Sequence, residues 1–447
     1  MVSLEIVVTP PDRQSVIVLG AGPAGLTTAY RLALRGLRVT VVNQSPVLGE
    51  RLRRESDPPV SILGCHRATW TLLRSFGVRS TQPLFAESRL EFLLPEGRLA
   101  RYPTTGFPTP LHQLFTIGRF SGLSWRERWR LLSWLEQIWE GSLPLATDLE
   151  QRTAESWLES LPQSRSVLQT IWNPLARWLT GSDIQHLSAD ALVTALQPFL
   201  LSQAANSRIW VPRQPWARIF VQPASEALAK TDTTFRLGTP AVGFSYQEDR
   251  ITGVRMKDGT SLQADWYVAA IAPHQLTPLL PERWLTRYAY FQHVVDLTGI
   301  PCDIIQVRAA ELTTAPRHIL MGTGPFSWIV CKPSERDGSL VAVLAMPRDQ
   351  SVTDSEQQVS ALLRSLNLLR SDGQLTGFRQ QDATHSWVAL PPGTKVRRPI
   401  QRSPISNLLL AGAWTDTGWP ANLESAIVSG ERCADIIVER RRGSDRS

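Results

Sequence analysis

The sequence has no apolar run long enough to cross a membrane, since such a helix needs about 18 consecutive apolar residues. Its first 14 residues include Glu5, Pro10 and Asp12 and lack the basic start of a secretory signal. We therefore expect neither a membrane-spanning helix nor a cleaved leader.

Cysteine is scarce, with only four in 447 residues. The four are too widely spaced for a zinc site or a disulfide framework, and they are Cys65, Cys302, Cys331 and Cys433. We expect a reducing cytoplasmic environment and no metal site.

Charge of either sign is rarely concentrated. The chain has 47 basic and 40 acidic residues, and its net charge is +7. The one dense basic block, at residues 440–442, is too short to indicate a nucleic acid partner. A positive chain suits an anionic membrane face, and an ordinary solvated surface explains the same charge equally well. We predict a cytoplasmic protein, and peripheral contact with the inner face of the membrane stays open.

A glycine-rich turn near the start has the context of a dinucleotide-binding motif. An apolar run at residues 16–19 predicts a buried parallel strand, and the helical pattern after the turn ends at Gly36. Gly20 allows the tight bend, Gly22 lets the backbone approach a pyrophosphate, and Gly25 lets the helix pack on the sheet. The helix N-terminus favours phosphate. The predicted contacts are Gly20, Ala21, Gly22, Pro23, Ala24 and Gly25.

The second strand of this motif, predicted at residues 39–42, ends at Asn43. An acidic side chain normally occupies this position and binds the ribose hydroxyls. Asparagine can still accept and donate hydrogen bonds, although it carries no charge. We predict that Asn43 keeps the ribose contact.

A second informative segment lies almost 400 residues later, at residues 411–418. The apolar run before it leads into Ala-Gly-Ala-Trp-Thr-Asp-Thr-Gly, and Pro420 then suits the first turn of a helix over residues 421–438. A plain C-terminal helix explains Pro420 but not the preceding run. A dinucleotide turn paired with such a segment is expected of a flavoprotein whose FAD domain is assembled from both ends of the chain.

The remaining patterns complete an α/β prediction. We expect a Rossmann-like FAD-binding domain with a parallel sheet, interleaved with an α+β substrate domain. The FAD-binding domain is predicted at residues 15–84, 225–283 and 393–440, and the substrate domain at residues 85–224 and 284–392. A hairpin turn is predicted at residues 257–260.

Residues 124–139 predict an amphipathic helix rich in tryptophan and arginine. Ser124 and Glu127 form a capping-box pattern, and Trp125 and Trp129 share a face with Leu132. An ordinary helix that closes the substrate domain is the favoured interpretation. A helix that lies in a membrane surface is the alternative.

Four stretches carry a resemblance to known proteins: residues 20–25, 63–77, 383–399 and 410–430. Together they resemble FAD-dependent flavoproteins of the amine oxidase and phytoene desaturase type, and within these the hydroxysqualene dehydroxylase group. The run Trp-Thr-Asp-Thr-Gly before Pro-Ala is the most specific feature. The resemblance implies FAD as cofactor, and it adds to the front motif and Asn43 the contacts Arg51, Gly412, Ala413, Trp414, Pro420 and Ala421.

In the resembling family, the C-terminal helix points its N-terminus at the flavin ring, where it stabilises the negative charge of the reduced form. The implied activity is reductive dehydroxylation of hydroxysqualene to squalene, with a polyprenyl lipid as substrate and other squalene-pathway enzymes as partners. The apolar residues 107–216 are expected to line a tunnel towards the membrane. Desaturation of a carotenoid or polyprenyl chain and a non-catalytic, flavin-poor paralogue stay open as alternatives.

The sequence departs from that family at four places. Asn43 replaces an acid, Glu50 replaces a second glycine, and Ala413 replaces an aspartate. Residues 57–60 replace a polar run that contains histidine. Because one charged contact is worth about 1.5–3 kcal/mol, these changes together predict weakened FAD binding.

A proton donor for the leaving hydroxyl is the least determined part of the prediction. Asp416 is the candidate catalytic residue, and a structural cap of the loop or helix is the alternative role for it. His66 and His385 are further candidates, for which the alternative is a structural histidine with satisfied hydrogen bonds.

Overall fold

The computed structural model describes residues 14–53, 61–78, 84–102, 111–139, 148–161, 163–200, 203–309, 317–333, 340–347, 355–384 and 387–444. The strands are β1 Ser15–Leu19, β2 Arg38–Asn43, β3 Ile62–Leu63, β4 Phe85–Leu93, β5 Leu99–Tyr102, β6 Ile209–Pro212, β7 Thr233–Leu237, β8 Ala241–Gln247, β9 Arg250–Met256, β10 Ser261–Leu262, β11 Trp266–Ala269, β12 Cys302–Ala309, β13 Arg317–Met321, β14 Trp328–Pro333, β15 Leu340–Pro347, β16 Gly377–Asp382 and β17 Leu408–Leu410. The helices are α1 Pro23–Ala33, α2 Glu50–Arg53, α3 Arg67–Ser75, α4 Leu111–Arg119, α5 Trp125–Trp139, α6 Ala154–Glu159, α7 Arg165–Val167, α8 Asn173–Thr180, α9 Ala189–Leu200, α10 Gln222–Ala229, α11 Pro273–Leu276, α12 Glu282–Arg287, α13 Ala289–Asp296, α14 Ser355–Ser365 and α15 Leu423–Ser444.

A parallel sheet with strand order β17-β11-β1-β2-β7 forms the first layer. β1 lies at its centre, where Val16 pairs with Trp266 on one side and with Val39 on the other. Val16 and Val18 face one apolar cluster, and Ile17 and Leu19 face another, so the strand is buried on both faces. This burial explains why the run of apolar residues is continuous, because a parallel strand covered on both sides has no polar face.

Helices α1 and α15 pack together on one face of this sheet. Gly430 makes their close approach possible, since a Cβ atom there would lie 2.5 Å from the carbonyl oxygen of Ala24. Thr28 Oγ1 also donates to the carbonyl of Gly430 at 3.2 Å. Arg35, just after α1, pairs with Asp435 of α15 at 2.7 Å. These contacts join the two ends of the chain into one layer.

A three-stranded antiparallel sheet, β10-β9-β8, packs with helices α11 to α13 on the opposite face of the parallel sheet. The turn between β9 and β10 is the predicted hairpin, with the amide of Met256 bonded to the carbonyl of Thr260 at 2.9 Å. Gly259 has a φ of +84°, a backbone conformation that favours glycine in such turns. The predicted hairpin is confirmed.

The second large sheet has the order β16-β12-β15-β14-β13-β4-β6-β3, and β5 pairs with β4. One face packs against α14. The other face contributes to the largest apolar cluster, to which helices α5 to α9 also contribute buried side chains. The mixed pairing, parallel between β4 and β13 and antiparallel elsewhere, fits the predicted α+β substrate region.

The predicted fold class, a Rossmann-like parallel sheet interleaved with an α+β region, is confirmed. The exact domain limits stay a prediction. Residues 216–224 and 284–294 contribute buried side chains to the two clusters that cover the parallel sheet, although the predicted limits place both segments in the substrate domain.

Candidate functional site

A cavity of about 450 Å³ lies between the parallel sheet and the second large sheet. At one end it borders the turn after β1 and the end of β2, and at the other it borders Trp178, Trp328 and Trp387. Ten of the predicted cofactor-binding residues line it, namely Gly20, Ala21, Gly22, Pro23, Ala24, Asn43, Gly412, Ala413, Trp414 and Ala421.

The three glycines of the front motif have different roles in the structure. Gly20 has a φ of +106°, and a Cβ atom there would lie 2.4 Å from the carbonyl oxygen of Ala270. A Cβ atom on Gly25 would lie 1.9 Å from the carbonyl oxygen of Gly20, so this residue allows α1 to pack on the turn. Gly22 alone of the three has no atom within 4 Å of such a Cβ. The space beside Gly22 is therefore the cavity itself, next to the N-terminus of α1.

Asn43 lines the cavity, but its described hydrogen bonds go to the protein. Its Oδ1 accepts from the amide of Ala21 at 3.3 Å. Its Nδ2 donates to the carbonyls of Ser45 and Val47, each at 3.1 Å. Asn43 thereby ties the loop after β2 to the glycine turn, a role that a glutamate could not fill because it lacks the two donors. The ribose contact of Asn43 stays a prediction.

The other residues that the sequence places near the phosphates are less favourable for phosphate binding. Glu50 is an acidic residue that lines the cavity. The described lining contains no lysine or arginine, and the N-terminus of α1 offers backbone amides and a favourable dipole for phosphate. The side chain of Arg51 lies outside the described part of the structure, as do residues 57–60 and His385.

The segment before α15 forms a tightly held loop at the cavity. Gly412 has a φ of +149°, and its amide donates to Ser429 Oγ at 2.8 Å. Trp414 Nε1 donates to the carbonyl of Ile271 at 3.0 Å, which fixes the indole against the end of β11. Ala413 lies between them on the cavity wall.

Arg398 organises this loop and was not recognised from the sequence. Its guanidinium donates to the carbonyls of Trp419 at 2.8 Å, of Ala413 at 3.1 Å and of Thr415 at 2.6 Å. A fourth, longer bond reaches the carbonyl of Trp414 at 3.4 Å. Burial lowers the pKa of Arg398 from its usual value. The loop that borders the cavity is thus assembled around one cation.

Asp416 lies in the loop before α15 and caps a local turn. Its Oδ1 accepts from the amide of Gly418 at 3.2 Å, the geometry of a local turn cap. Asp416 is not among the described residues that line the cavity. Pro420 does not line it either, and α15 begins at Leu423 rather than at residue 421. The structure thus gives Asp416 the capping role, and a catalytic role for it stays a prediction.

The first turn of α15 is anchored by a buried carboxylate. Glu424 is 2% exposed and accepts from the amides of Ala68 and Thr69, each at 2.8 Å, and from Thr69 Oγ1 at 2.6 Å. Burial raises the pKa of Glu424, and the bonds from Thr69 and Ala68 oppose that shift. The carboxylate caps α3 from a position 355 residues away in sequence, and it thereby holds α15 against the cavity.

His66 also reaches the cavity, beside Leu63. Its ring is 3% exposed and lies edge-on to Trp419, with ring centroids 5.6 Å apart. Burial lowers the pKa of His66 to about 3. The imidazole is therefore neutral at pH 7 and does not act there as an acid in its protonated form.

The shape of the site fits FAD. The cavity is lined both by the open glycine position at the N-terminus of α1 and by residues 421–423 at the N-terminus of α15, so two helix ends border one ligand space. Its volume lies within the usual range for sites of small molecules and cofactors. Fold and site together define a dinucleotide-binding flavoprotein oxidoreductase.

The chain belongs to the family of flavin containing amine oxidoreductases, whose family model matches residues 23–438. It is an FAD-dependent oxidoreductase. A probable zeta-carotene desaturase of Synechococcus elongatus is 25% identical over 95% of this chain and 98% of its own. A 15-cis-phytoene desaturase of the same organism is 25% identical over 95% and 96% of the two chains.

Solved structures share the fold at lower identity. Putrescine oxidase bound to putrescine superposes with a TM-score of 0.70 at 16% identity, over 96% of this chain and all of the other. Cyclohexylamine oxidase from Brevibacterium oxydans gives 0.67 at 18% identity, over 96% of this chain and all of the other. The relatives are named as desaturases, so the resemblance to hydroxysqualene dehydroxylases stays a proposal.

Proposed function

We propose that this protein transfers hydride between FAD and an isoprenoid lipid, and that its reaction is the reductive dehydroxylation of hydroxysqualene to squalene. The observation that carries the lipid substrate is the apolar end of the cavity, where Trp178, Leu179, Trp328, Val330 and Trp387 meet next to the cofactor space. Such a wall suits a long hydrocarbon chain and excludes water.

The residues of the site have complementary roles in this proposal. The turn at residues 20–24 and the N-terminus of α1 would hold the pyrophosphate of FAD, and residues 421–423 would contribute to the flavin end of the site. When bound and reduced, FAD would supply the hydride that replaces the hydroxyl. The apolar wall desolvates the lipid and orients it towards the ring. Overall, hydroxysqualene, two electrons and two protons give squalene and water.

Desaturation of a carotenoid or polyprenyl chain is the second candidate, and the names of the relatives favour it. That reaction moves hydride in the opposite direction, from the lipid to FAD. The third alternative from the sequence, a flavin-poor paralogue without activity, disagrees with the family to which the chain belongs. The visible spectrum of the purified protein tests the third, since bound oxidised flavin contradicts it.

We expect purified protein loaded with FAD, and reduced by dithionite or NADPH in detergent or liposomes, to convert hydroxysqualene to squalene. The product is measured by gas chromatography and mass spectrometry. Oxidised protein without reductant is the control and should give no squalene. Absence of squalene, together with colour from a polyene precursor under oxidising conditions, would replace this proposal with the desaturase.

The proposal includes peripheral contact with a membrane through an exposed apolar surface on α4 and α5. We define the α4–α5 surface by its exposed side chains Leu111, Leu114, Phe115, Trp125 and Trp129. Trp125 and Trp129 are 67% and 56% exposed, although the sequence places them on the same face as the partly buried Leu132. The exposed basic residues beside them are Arg119, Arg126 and Arg130. Within the described residues no helix is both long and apolar enough to span a bilayer.

Tryptophan with flanking arginine is the composition that favours an anionic interface. We expect the double variant Trp125→Ser/Trp129→Ser to bind phosphatidylglycerol vesicles about tenfold more weakly, because two indoles no longer enter the interface. Co-sedimentation measures the affinity. The matched control, Val396→Ser/Ile400→Ser, removes two side chains that are 78% and 56% exposed elsewhere. Equal loss in both variants, or equal binding of the wild type to neutral phosphatidylcholine vesicles, contradicts the proposed surface.

A further inference from the structure

The apolar end of the cavity contains polar groups that the cofactor site and the fold do not account for. Ser61 and His66 both line the cavity, and they flank the short strand β3 at the edge of the second large sheet. Leu63, between them, lines it as well, and Ile62 points away into a different cluster. This alternation is the ordinary consequence of an extended backbone. One edge of the cavity therefore has two polar side chains set in an apolar wall.

His66 presents a donor without an acceptor. Its Nδ1 accepts from the amide of Leu63 at 3.3 Å, so the ring proton of the neutral imidazole lies on Nε2. Nε2 is buried and has no hydrogen-bond partner in the described part of the structure. An unpaired buried donor costs about 1–3 kcal/mol, and a ligand that accepts from it recovers that free energy. The described contacts of His66 thus satisfy only one of its two ring nitrogens.

Ser61 is held by a buried hydrogen-bonded chain. Its Oγ lies 2.9 Å from Nε2 of His318, and Nδ1 of His318 lies 2.7 Å from Ser88 Oγ. His318 is fully buried and contacts Trp178 edge-on, with ring centroids 5.3 Å apart. Burial lowers the pKa of His318 to about 3, so this ring is also neutral at pH 7. One bond of Ser61 is thus fixed, and within the described residues its Oγ keeps donor or acceptor capacity for a ligand in the cavity.

We propose that His66 Nε2–H and Ser61 Oγ bind the hydroxyl group of an isoprenoid alcohol and so select an alcohol over the corresponding hydrocarbon. A hydroxyl both accepts and donates, so one oxygen can satisfy both side chains. A pure hydrocarbon leaves the donor of His66 unpaired. The proposal rests on the proposed function for the isoprenoid class of the ligand, but it does not depend on turnover.

The test uses binding to the oxidised, FAD-loaded protein without reductant, so that no dehydroxylation takes place. The probes are hydroxysqualene and squalene in detergent, which differ by one hydroxyl. Quenching of tryptophan fluorescence and the shift of the flavin absorbance report binding. We expect the wild type to prefer hydroxysqualene by about tenfold or more, the factor that one recovered hydrogen bond of this kind supplies.

Two substitutions at residue 66 distinguish the roles of its two ring nitrogens. His66→Asn keeps an acceptor near the position of Nδ1 for the amide of Leu63 and withdraws the donor from the cavity. His66→Gln places a donor near the position of Nε2. We expect His66→Asn to lose most of the preference, with squalene affinity unchanged, and His66→Gln to recover part of it. Ser61→Ala should also lose part of the preference for hydroxysqualene over squalene.

Ser207→Ala is the matched control, because Ser207 is a buried serine outside the described cavity lining and bonds to the carbonyl of Phe199 at 2.6 Å. It should keep the full preference. Retention of the preference in both His66→Asn and Ser61→Ala overturns the inference. So does failure of the wild type to bind hydroxysqualene more tightly than squalene.

The flavin is the other group that could accept a hydrogen bond from His66 Nε2. Titration of each apoprotein with FAD tests this alternative. We expect unchanged FAD affinity in His66→Asn. A tenfold loss of FAD affinity with the alcohol preference intact assigns the donor to the flavin and overturns the inference. If hydroxysqualene binds preferentially but is not converted when the flavin is reduced, the proposed function fails and the inference stands.

Discussion

Gly22→Glu is expected to abolish retention of FAD while leaving the chain folded. A Cβ atom at this position meets no protein atom within 4 Å, so the substitution causes no clash at the backbone. It does fill the space beside the N-terminus of α1, and it adds a negative charge where we propose that the pyrophosphate binds. The flavin content of purified protein, from its absorbance after denaturation, should fall to background. Circular dichroism and the melting temperature of the apoprotein should match those of wild-type apoprotein.

Gly118→Glu is the control for this experiment. Gly118 lies in α4, and a Cβ atom there also meets nothing within 4 Å, but it does not line the cavity. Its flavin content should equal that of the wild type. Gly25→Ala provides the contrast, because its Cβ atom would lie 1.9 Å from a backbone oxygen and the fold itself should lose stability. Unchanged flavin in folded Gly22→Glu would show that residues 20–25 form only a turn.

Arg398→Met is expected to lower the free energy of unfolding by about 3 kcal/mol or more and FAD affinity by at least tenfold. Four carbonyls of residues 413–419 lose their donor at once, three of them at 3.1 Å or less. The methionine retains most of the apolar stem, so the loss reports the hydrogen bonds rather than an empty volume. Urea denaturation of the apoprotein measures the first effect, and FAD titration measures the second.

Arg397→Met is the neighbouring control. Arg397 is exposed and its Nε donates to the carbonyl of Gly393 at 3.0 Å, so its loss should change stability by less than about 0.5 kcal/mol. Arg398→Lys should recover only part of the stability, because an ammonium group cannot reach four carbonyls with the geometry of a guanidinium. If Arg398→Met and Arg397→Met behave alike, the loop is held by its other contacts. These include the bonds from Arg432 to the carbonyls of Asp416 and Thr417, each at 2.9 Å.

Local sequence determined the cofactor half of this protein. The strand, the glycine turn and the start of α1 follow from residues that are adjacent in the chain, and each has one physical requirement. Gly20 needs a positive φ, Gly25 must lie against a carbonyl, and Gly22 must leave space. Apolar runs predicted the parallel strands, because a strand that is buried on both faces does not alternate between apolar and polar residues. These requirements apply to short segments, so the fold class and FAD could be predicted from the sequence.

Only the tertiary structure decided how polar side chains are used. Asn43 has the sequence position of a ribose ligand, but its amide group is bonded to the neighbouring loop. Asp416 precedes the cofactor-facing helix, and it caps a turn. Arg398, Glu424 and the pair of Ser61 with His318 have no recognisable motif, because their partners lie 15 to 356 residues away in the chain. The fate of a polar group depends on which donors and acceptors folding brings within about 3 Å of it, and spacing along the sequence does not specify that.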